Sequence, residues 1–375
     1  MRLMRYARNF SFIFFIFLIF FVSGCIGGLN FGGGSGNDFE EEFMFVGGDE
    51  ALTVDFIGNN PPDRIFQGRE FDIALIVQNV GEYEVPIDGV QFKLNGAKQL
   101  GVDCMPDESG CIIKQKNTEK LMPIIRAGEG YIPGGIDYIN YEGLKYVGRN
   151  VLTEESPLAL SIEACYPYKT VAVSDLCVTT STESSVCDFF EPKTVFNSGS
   201  PLEISSIEQE GNFMEDGVLM AQVRISINHD GDSELYSIDS ECNSLASKDF
   251  SRVTIESISL GNEVWTIGHT DTSCRINPDF TGTINESINC ANVPKRDCTA
   301  VEQCRLISSR SSNEIEEFCG QDNIRLNDGE GFIVCFLPVG DGVSDYEERL
   351  VTTVSYVTTQ IITKDISVMP SKWSN

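Results

Sequence analysis

The residues with the most chemistry to offer are sulfurs. The 375-residue chain carries thirteen cysteines, and a thiol can act as a nucleophile, ligate a metal or close a disulfide. Cys25 stands apart, in Phe20-Phe21-Val22-Ser23-Gly24-Cys25-Ile26-Gly27-Gly28, where an apolar run gives way to glycine. The other twelve are Cys104, Cys111, Cys165, Cys177, Cys187, Cys242, Cys274, Cys290, Cys298, Cys304, Cys319 and Cys335. Cys290, Cys298, Cys304 and Cys319 crowd one segment, with seven, five and fourteen residues between them. That spacing holds no C-x₂-C knuckle and no histidine follows His269, so disulfides are favoured over zinc. Nucleophilic catalysis needs a base beside its Ser or Cys, and the only histidines are His229, placed in a solvated hairpin turn, and His269. No G-x-S-x-G, H-E-x-x-H or phosphate-cradling glycine loop occurs. Calcium prefers clustered oxygen donors, and Asp230-Gly231-Asp232-Ser233-Glu234 and Asp341-Gly342-Val343-Ser344-Asp345 supply them. Neither fits the twelve-residue EF-hand loop, and Asp-Gly is common hairpin chemistry. The turn reading is therefore preferred, with Asp230, Asp232, Asp341 and Asp345 kept as weak calcium candidates and no other cofactor expected. Asn285-Glu286-Ser287 is an N-glycosylation sequon, with Asn285 the acceptor.

The compartment decides what the thiols do. Arg2, Arg5 and Arg8 precede an apolar run from Phe10 to Val22 broken only by Ser11. The run is shorter than the ~20 residues a spanning helix needs and ends in small residues, as a secretory signal does. Val22-Ser23-Gly24-Cys25 resembles the lipobox of lipoprotein signal peptides, which implies cleavage before Cys25 and a lipid on its sulfur. The alternative is an uncleaved signal anchor, and both readings export the rest to the outer face of the cytoplasmic membrane. Glycines 27, 28, 32, 33, 34 and 36 then read as a tether. Without the stretch 1–24 the chain has 24 basic against 56 acidic residues, a net charge of −32. Such a surface disfavours nucleic acid, whose phosphates need clustered Lys and Arg.

Strand signals dominate the remainder. Phe71 to Asn79 alternates apolar and less apolar positions and meets a turn at Val80-Gly81-Glu82, as a half-buried strand with a hairpin exit does. The pattern recurs at an offset of 150, in Val223 to Asn228, with Gly81 falling on Gly231 and Glu84 on Glu234. "RAGEGYI" at 126–132 matches "NDGEGFI" at 327–333, an offset of 201. "ACYPYKTVAVSDLCV" at 164–178 matches "VSYVTTQIITKDISV" at 354–368, an offset of 190 that pairs Tyr166 with Tyr356, Asp175 with Asp365 and Val178 with Val368. These offsets indicate a duplicated unit with an extra segment of about fifty residues in the second copy. The expected fold is all-β, two tandem immunoglobulin-like antiparallel sandwiches. The expected organisation is a signal peptide over 1–24, a tether over 25–50, a sandwich over 51–182, a linker over 183–200 and a sandwich over 201–370 with a Cys-rich insertion at about 274–320.

The V-x-N-x-G signature at Val77-Gln78-Asn79-Val80-Gly81, ahead of a Gly-Glu-Gly turn and a terminal strand pair, resembles the CARDB class of cell-adhesion-related, immunoglobulin-like domains of prokaryotic surfaces. The second copy departs from it, reading Ile227-Asn228-His229-Asp230-Gly231. The resemblance implies extracellular spacers and binding modules and brings no catalytic residues.

An even number of exported cysteines reads as a disulfide framework. Cys165 aligns with Ser355 and Cys177 with Ser367, so the second copy lacks both together, and a Cys165–Cys177 bridge is expected. Cys104 and Cys111 enclose a polar loop that a bridge would pin. The partners of Cys187, Cys242, Cys274, Cys290, Cys298, Cys304, Cys319 and Cys335 stay open. The functional expectation is an exported, membrane-tethered, non-catalytic protein of adhesion, display or envelope assembly. Its partners would be the membrane through the N-terminus and a surface protein or glycan. The alternatives are an envelope hydrolase with clustered carboxylates and a solute-binding lipoprotein of a transporter.

Overall fold

A computed structural model describes residues 45–96, 100, 114–128, 130–148, 151–180, 186–188, 190–215, 218–261, 263–265, 274–276, 323–340 and 344–371. The earlier strands are β1 (Leu52–Phe56), β2 (Arg64–Phe66), β3 (Glu70–Asn79), β4 (Gln91–Leu94), β5 (Lys114–Lys116), β6 (Ile125–Ala127), β7 (Gly130–Ile132), β8 (Ile136–Lys145) and β9 (Ser156–Val178). The later ones are β10 (Phe196–Asn197), β11 (Glu203–Glu215), β12 (Val218–Asn228), β13 (Glu234–Tyr236), β14 (Arg252–Leu260), β15 (Glu263–Trp265), β16 (Cys274–Ile276), β17 (Asn323–Arg325), β18 (Glu330–Gly340) and β19 (Tyr346–Met369). The fold is all-β, as expected, and among the described residues no helix is long and apolar enough to cross a membrane.

Period-two alternation builds these strands. Phe71, Ile73, Leu75 and Val77 of β3 point inward, and so do their repeat mates Ala221, Val223, Ile225 and Ile227 of β12. Each fully buried aliphatic side chain contributes about 1.5–3 kcal/mol. β3 lies between β1 and β8 in one antiparallel sheet, and β12 lies between β11 and β18 in another, with β16 outside β18. A further, ten-stranded sheet has a main path that runs β15-β14-β19-β9-β4-β5. The buried apolar side chains of both halves form one continuous cluster.

The seam between β9 and β19 organises everything else. It runs unbroken from Ser156 opposite Val368 to Val178 opposite Tyr346. Carrying the bounds of β9 forward by the offset of the terminal match gives 346–368, which is β19 short of its last residue. At the midpoint of the seam Pro167 faces Val357, and these two are themselves repeat mates, so the halves meet about a local two-fold axis. A proline inside a strand needs a flank without a ladder. The other side of β9 carries β4 only as far as Cys165 and β10 only from Ala172, leaving Pro167 in the gap.

The halves are therefore joined by a shared sheet as well as by the connecting chain. Part of the expected 183–200 linker belongs to the body: β10 pairs with β9, and Ser198 and Ser200 are buried. The expected tether likewise ends before residue 50, because the Val46 and Gly47 N–H groups donate to the Glu82 carboxylate at 2.8 and 3.0 Å. The expected signal peptide at 1–24, Cys25 and the glycines of the tether lie outside the described residues, as do Cys104, Cys111 and 277–322 with Asn285.

Two expectations from the repeat are corrected. Register sets Leu75 opposite Ile139 and Ile225 opposite Ile333, so β8 corresponds to β18 at an offset of 194. The 126–132 and 327–333 match is thus not a match of equivalent strands. Residues 125–132 form their own hairpin, β6–β7, and what the two segments share is turn chemistry, with positive φ at Gly128 and Gly329. The Cys165–Cys177 bridge does not form. Both cysteines lie on β9, where twelve residues of extended chain span about 40 Å, against a disulfide Cα separation of about 4.4–6.8 Å. Cys165 instead bonds Cys242, and Cys177 bonds Cys187. Their joint absence from the second copy has another cause. Cys242 lies on the loop between β13 and β14 and Cys187 on the connector, so each staples β9 to a segment that follows the first unit.

Candidate interaction surface

The V-x-N-x-G signature proves to be architectural. Asn79 is fully buried, and its amide donates to the carbonyls of Tyr83 (2.8 Å) and Leu121 (3.1 Å) while its Oδ1 accepts the Gly81 N–H (3.0 Å). Gly81 is required by close approach, since a Cβ there would stand 2.1 Å from the Tyr168 hydroxyl and 2.6 Å from the Gly199 carbonyl oxygen. In the second half His229 occupies the place of Asn79. Its Nε2 lies 2.7 Å from the Ser233 carbonyl and its Nδ1 2.7 Å from the Pro201 carbonyl. Ser233 is the repeat mate of Tyr83, so the imidazole Nε2 faces the carbonyl position that the Asn79 amide bonds in the first half. His229, expected as a solvated loop residue, is half-buried and ties the hairpin to the chain ahead of β11.

Two carboxylates are engaged in holding the backbone. Asp137, buried on β8, accepts the backbone N–H groups of Thr118 (2.6 Å), Glu119 (3.1 Å) and Tyr138 (2.7 Å). Glu82 accepts a third N–H, from Gly199, at 2.7 Å. Burial raises the phenol pKa of Tyr141, Tyr166, Tyr168 and Tyr356 well above the ordinary value. Tyr166, Tyr168 and Tyr356 cluster at the seam, with ring centroids 6.0 and 6.5 Å apart, and Thr170 lies 3.2 Å from the Tyr356 hydroxyl. Burial also lowers the pKa of Lys193, whose ammonium donates to the Asp188 carbonyl at 2.6 Å.

Among the calcium candidates, Asp230 accepts the Asn228 amide at 2.8 Å in the turn after β12, and Asp232 follows it there. Asp345 immediately precedes β19, far along that strand from Thr359, where the 230–234 turn leads into β13. Asp341 lies outside the described residues. Among the described residues no three acidic, His or Cys side chains are grouped to hold a metal ion.

What the described surface does offer is apolar. Met122, Ile125, Tyr131, Ile132, Ile136 and Tyr138 are all exposed, Tyr131 at 60 % and Tyr138 at 58 %. Short backbone bonds hold this stretch against the first sheet. Ile124 N–H donates to the Gly81 carbonyl at 2.9 Å, Gly135 N–H to Met122 at 2.8 Å, and Ile125 pairs with Ile132. Gly134 and Gly135 permit it, because a Cβ would lie 2.0 Å from the Asn79 oxygen at the first and 2.6 Å from the Met122 nitrogen at the second. The Arg126 guanidinium donates to the Phe45 carbonyl at 3.1 Å, so the surface adjoins the chain's entry into the body. Contiguous exposed apolar surface is a general mark of interaction sites. The signal missed was the set of apolar residues at both even and consecutive positions of 122–138, which a single buried face cannot absorb. No family model matches the chain, and no curated protein matches it.

Proposed function

We propose that this chain is an exported, membrane-tethered, non-catalytic protein of the cell envelope that engages a surface protein or glycan through the apolar stretch 122–138. The observation that carries the reading is the exposure of Tyr131, Ile132 and Tyr138 on a scaffold whose buried carboxylate, Asp137, is spent on backbone N–H groups. The resemblance to CARDB domains supports it: each half would be one immunoglobulin-like sandwich, fused along β9 and β19. In this reading Cys25 carries the lipid and the Cys-rich insertion belongs to the second half. The test compares capture of surface components by the exported chain and by Tyr131→Ser/Ile132→Ser, with Val264→Ser, an exposed apolar residue elsewhere, as control. The double variant should lose capture at least about tenfold, the effect of one good buried anchor, and the control should not. Equal capture by all three removes the surface from the proposal. Cys25→Ser should release the protein from membranes, and unchanged retention would favour the signal anchor.

A further inference from the structure

We infer that the edge of β8 that has no strand partner among the described residues is a docking site for an extended polypeptide segment of a partner, one with apolar residues two apart and a basic residue between them. The inference rests on reading 122–138 as an interaction surface and says how its strand is used.

The internal repeat makes the argument. β8 and β18 are equivalent strands, yet their outer edges differ. β18 is covered by β16, with Cys274 opposite Cys335, Arg275 opposite Val334 and Ile276 opposite Ile333. β8 ends its sheet, and among the described residues no strand pairs with it on that side. The backbone directions agree in the two halves. Glu330 exchanges N–H and C=O bonds with Asn327, away from β12, so Val334 also turns toward β16. On β8 the Tyr138 N–H donates to the Asp137 side chain and therefore points away from β3. Alternation then sends the N–H and C=O of Asn140 the same way. Asn140 is the equivalent of Val334, and unpaired strand edges of this kind are templates for strand addition.

The occupant's chemistry follows from the filled copy. The register positions opposite the buried Ile333 and Cys335 hold Ile276 and Cys274, and the middle position holds Arg275. The same geometry on β8 places apolar residues opposite Ile139 and Tyr141, both buried, and a basic residue opposite Asn140. A cation suits a chain of net charge −29, whereas a second copy brings another −29 and is disfavoured by repulsion. Exposed Ile136 and Tyr138 lie alongside and extend the contact for a longer segment.

The test uses the full exported chain and a fluorescein-labelled peptide of its own residues 272–278 carrying C274V. Binding should slow hydrogen exchange at Asn140, and Asn140→Pro, which removes one edge N–H, should weaken it about tenfold. Asn140→Ala, which keeps that N–H, should bind as the parent does. Proline is tolerated on open strand edges, and circular dichroism with thermal unfolding verifies the fold of both variants. Equal binding by the two variants overturns the inference, and so does an Asn140 amide already protected in the free chain or no binding at the peptide's solubility limit. A chain dimer abolished by Asn140→Pro would assign the edge to a second copy and overturn the partner. Loss of surface capture in Tyr131→Ser/Ile132→Ser with full capture by Asn140→Pro would sink strand addition and leave the surface intact.

Discussion

The disulfide staples allow a quantitative comparison. Cys165–Cys242 closes a separation of 77 residues and Cys177–Cys187 one of 10. In the chain-entropy description a crosslink stabilises by restricting the unfolded chain, by an amount rising with the logarithm of loop length. At 25 °C that gives about 4.5 kcal/mol for the long loop and about 2.7 kcal/mol for the short one. Each bridge has one fully buried cysteine on β9, Cys165 or Cys177, so the cavity terms of alanine replacement largely cancel between them. Cys165→Ala/Cys242→Ala should therefore be less stable than Cys177→Ala/Cys187→Ala by about 1.8 kcal/mol. Guanidinium unfolding followed by circular dichroism measures this as the difference between the two midpoints at a common slope. Equal midpoints, or a larger loss from the short loop, would refute the reasoning. That result would mean that the shared sheet keeps the two halves associated in the denatured chain.

Gly81→Ala should destabilise by about 2–3 kcal/mol, since the Tyr168 hydroxyl and Gly199 carbonyl would both have to move, and chemical denaturation reads it. His229→Ala removes the ring that stands between the Ser233 and Pro201 carbonyls and leaves at least one of them without its donor, so it should lose about 1–3 kcal/mol. His229→Asn, which copies the first half, should stay within about 1 kcal/mol of the parent in the same assay. Raised phenol pKa values at Tyr141, Tyr166, Tyr168 and Tyr356 favour the neutral form in the fold. Their contribution is intact below the unfolded-state value near 10 and is lost as pH rises above it, by up to about 1.4 kcal/mol per unit for each phenol. Absorbance at alkaline pH should show these four ionising together with unfolding, and smooth ionisation in a folded chain would contradict their burial.

The strand content was legible because its carriers are local. The alternation of Phe71, Ile73, Leu75 and Val77 gave β3 directly, and the terminal match anticipated the span of β19 from that of β9. The shared sheet was not legible. Nothing in either strand's own pattern says whether its edge meets a neighbour of the same half or its own repeat mate in the other. The cysteine pairing failed for a related reason. The joint loss of Cys165 and Cys177 was read as evidence that they bond each other, but both face segments that come after the first unit. In the apolar stretch 122–138, Tyr131 and Ile132 were legible as residues of a matched segment but not as exposed ones. Their counterparts in that match, Phe332 and Ile333, lie on β18, and only the register revealed that the Gly-Glu-Gly turn is shared while the strands are not.

The long stretch of chain between β9 and β19 bears on how the protein is made. Synthesis delivers β9 long before the strand that completes its ladder, so the emerging first half exposes an uncovered edge until β19 has been made. Cys177 and Cys187 can close early, within one local loop, and hold the tail of that strand. A chain truncated just before Tyr346 should consequently fail as a whole, precipitating or being degraded, and would not leave a well-behaved first half behind.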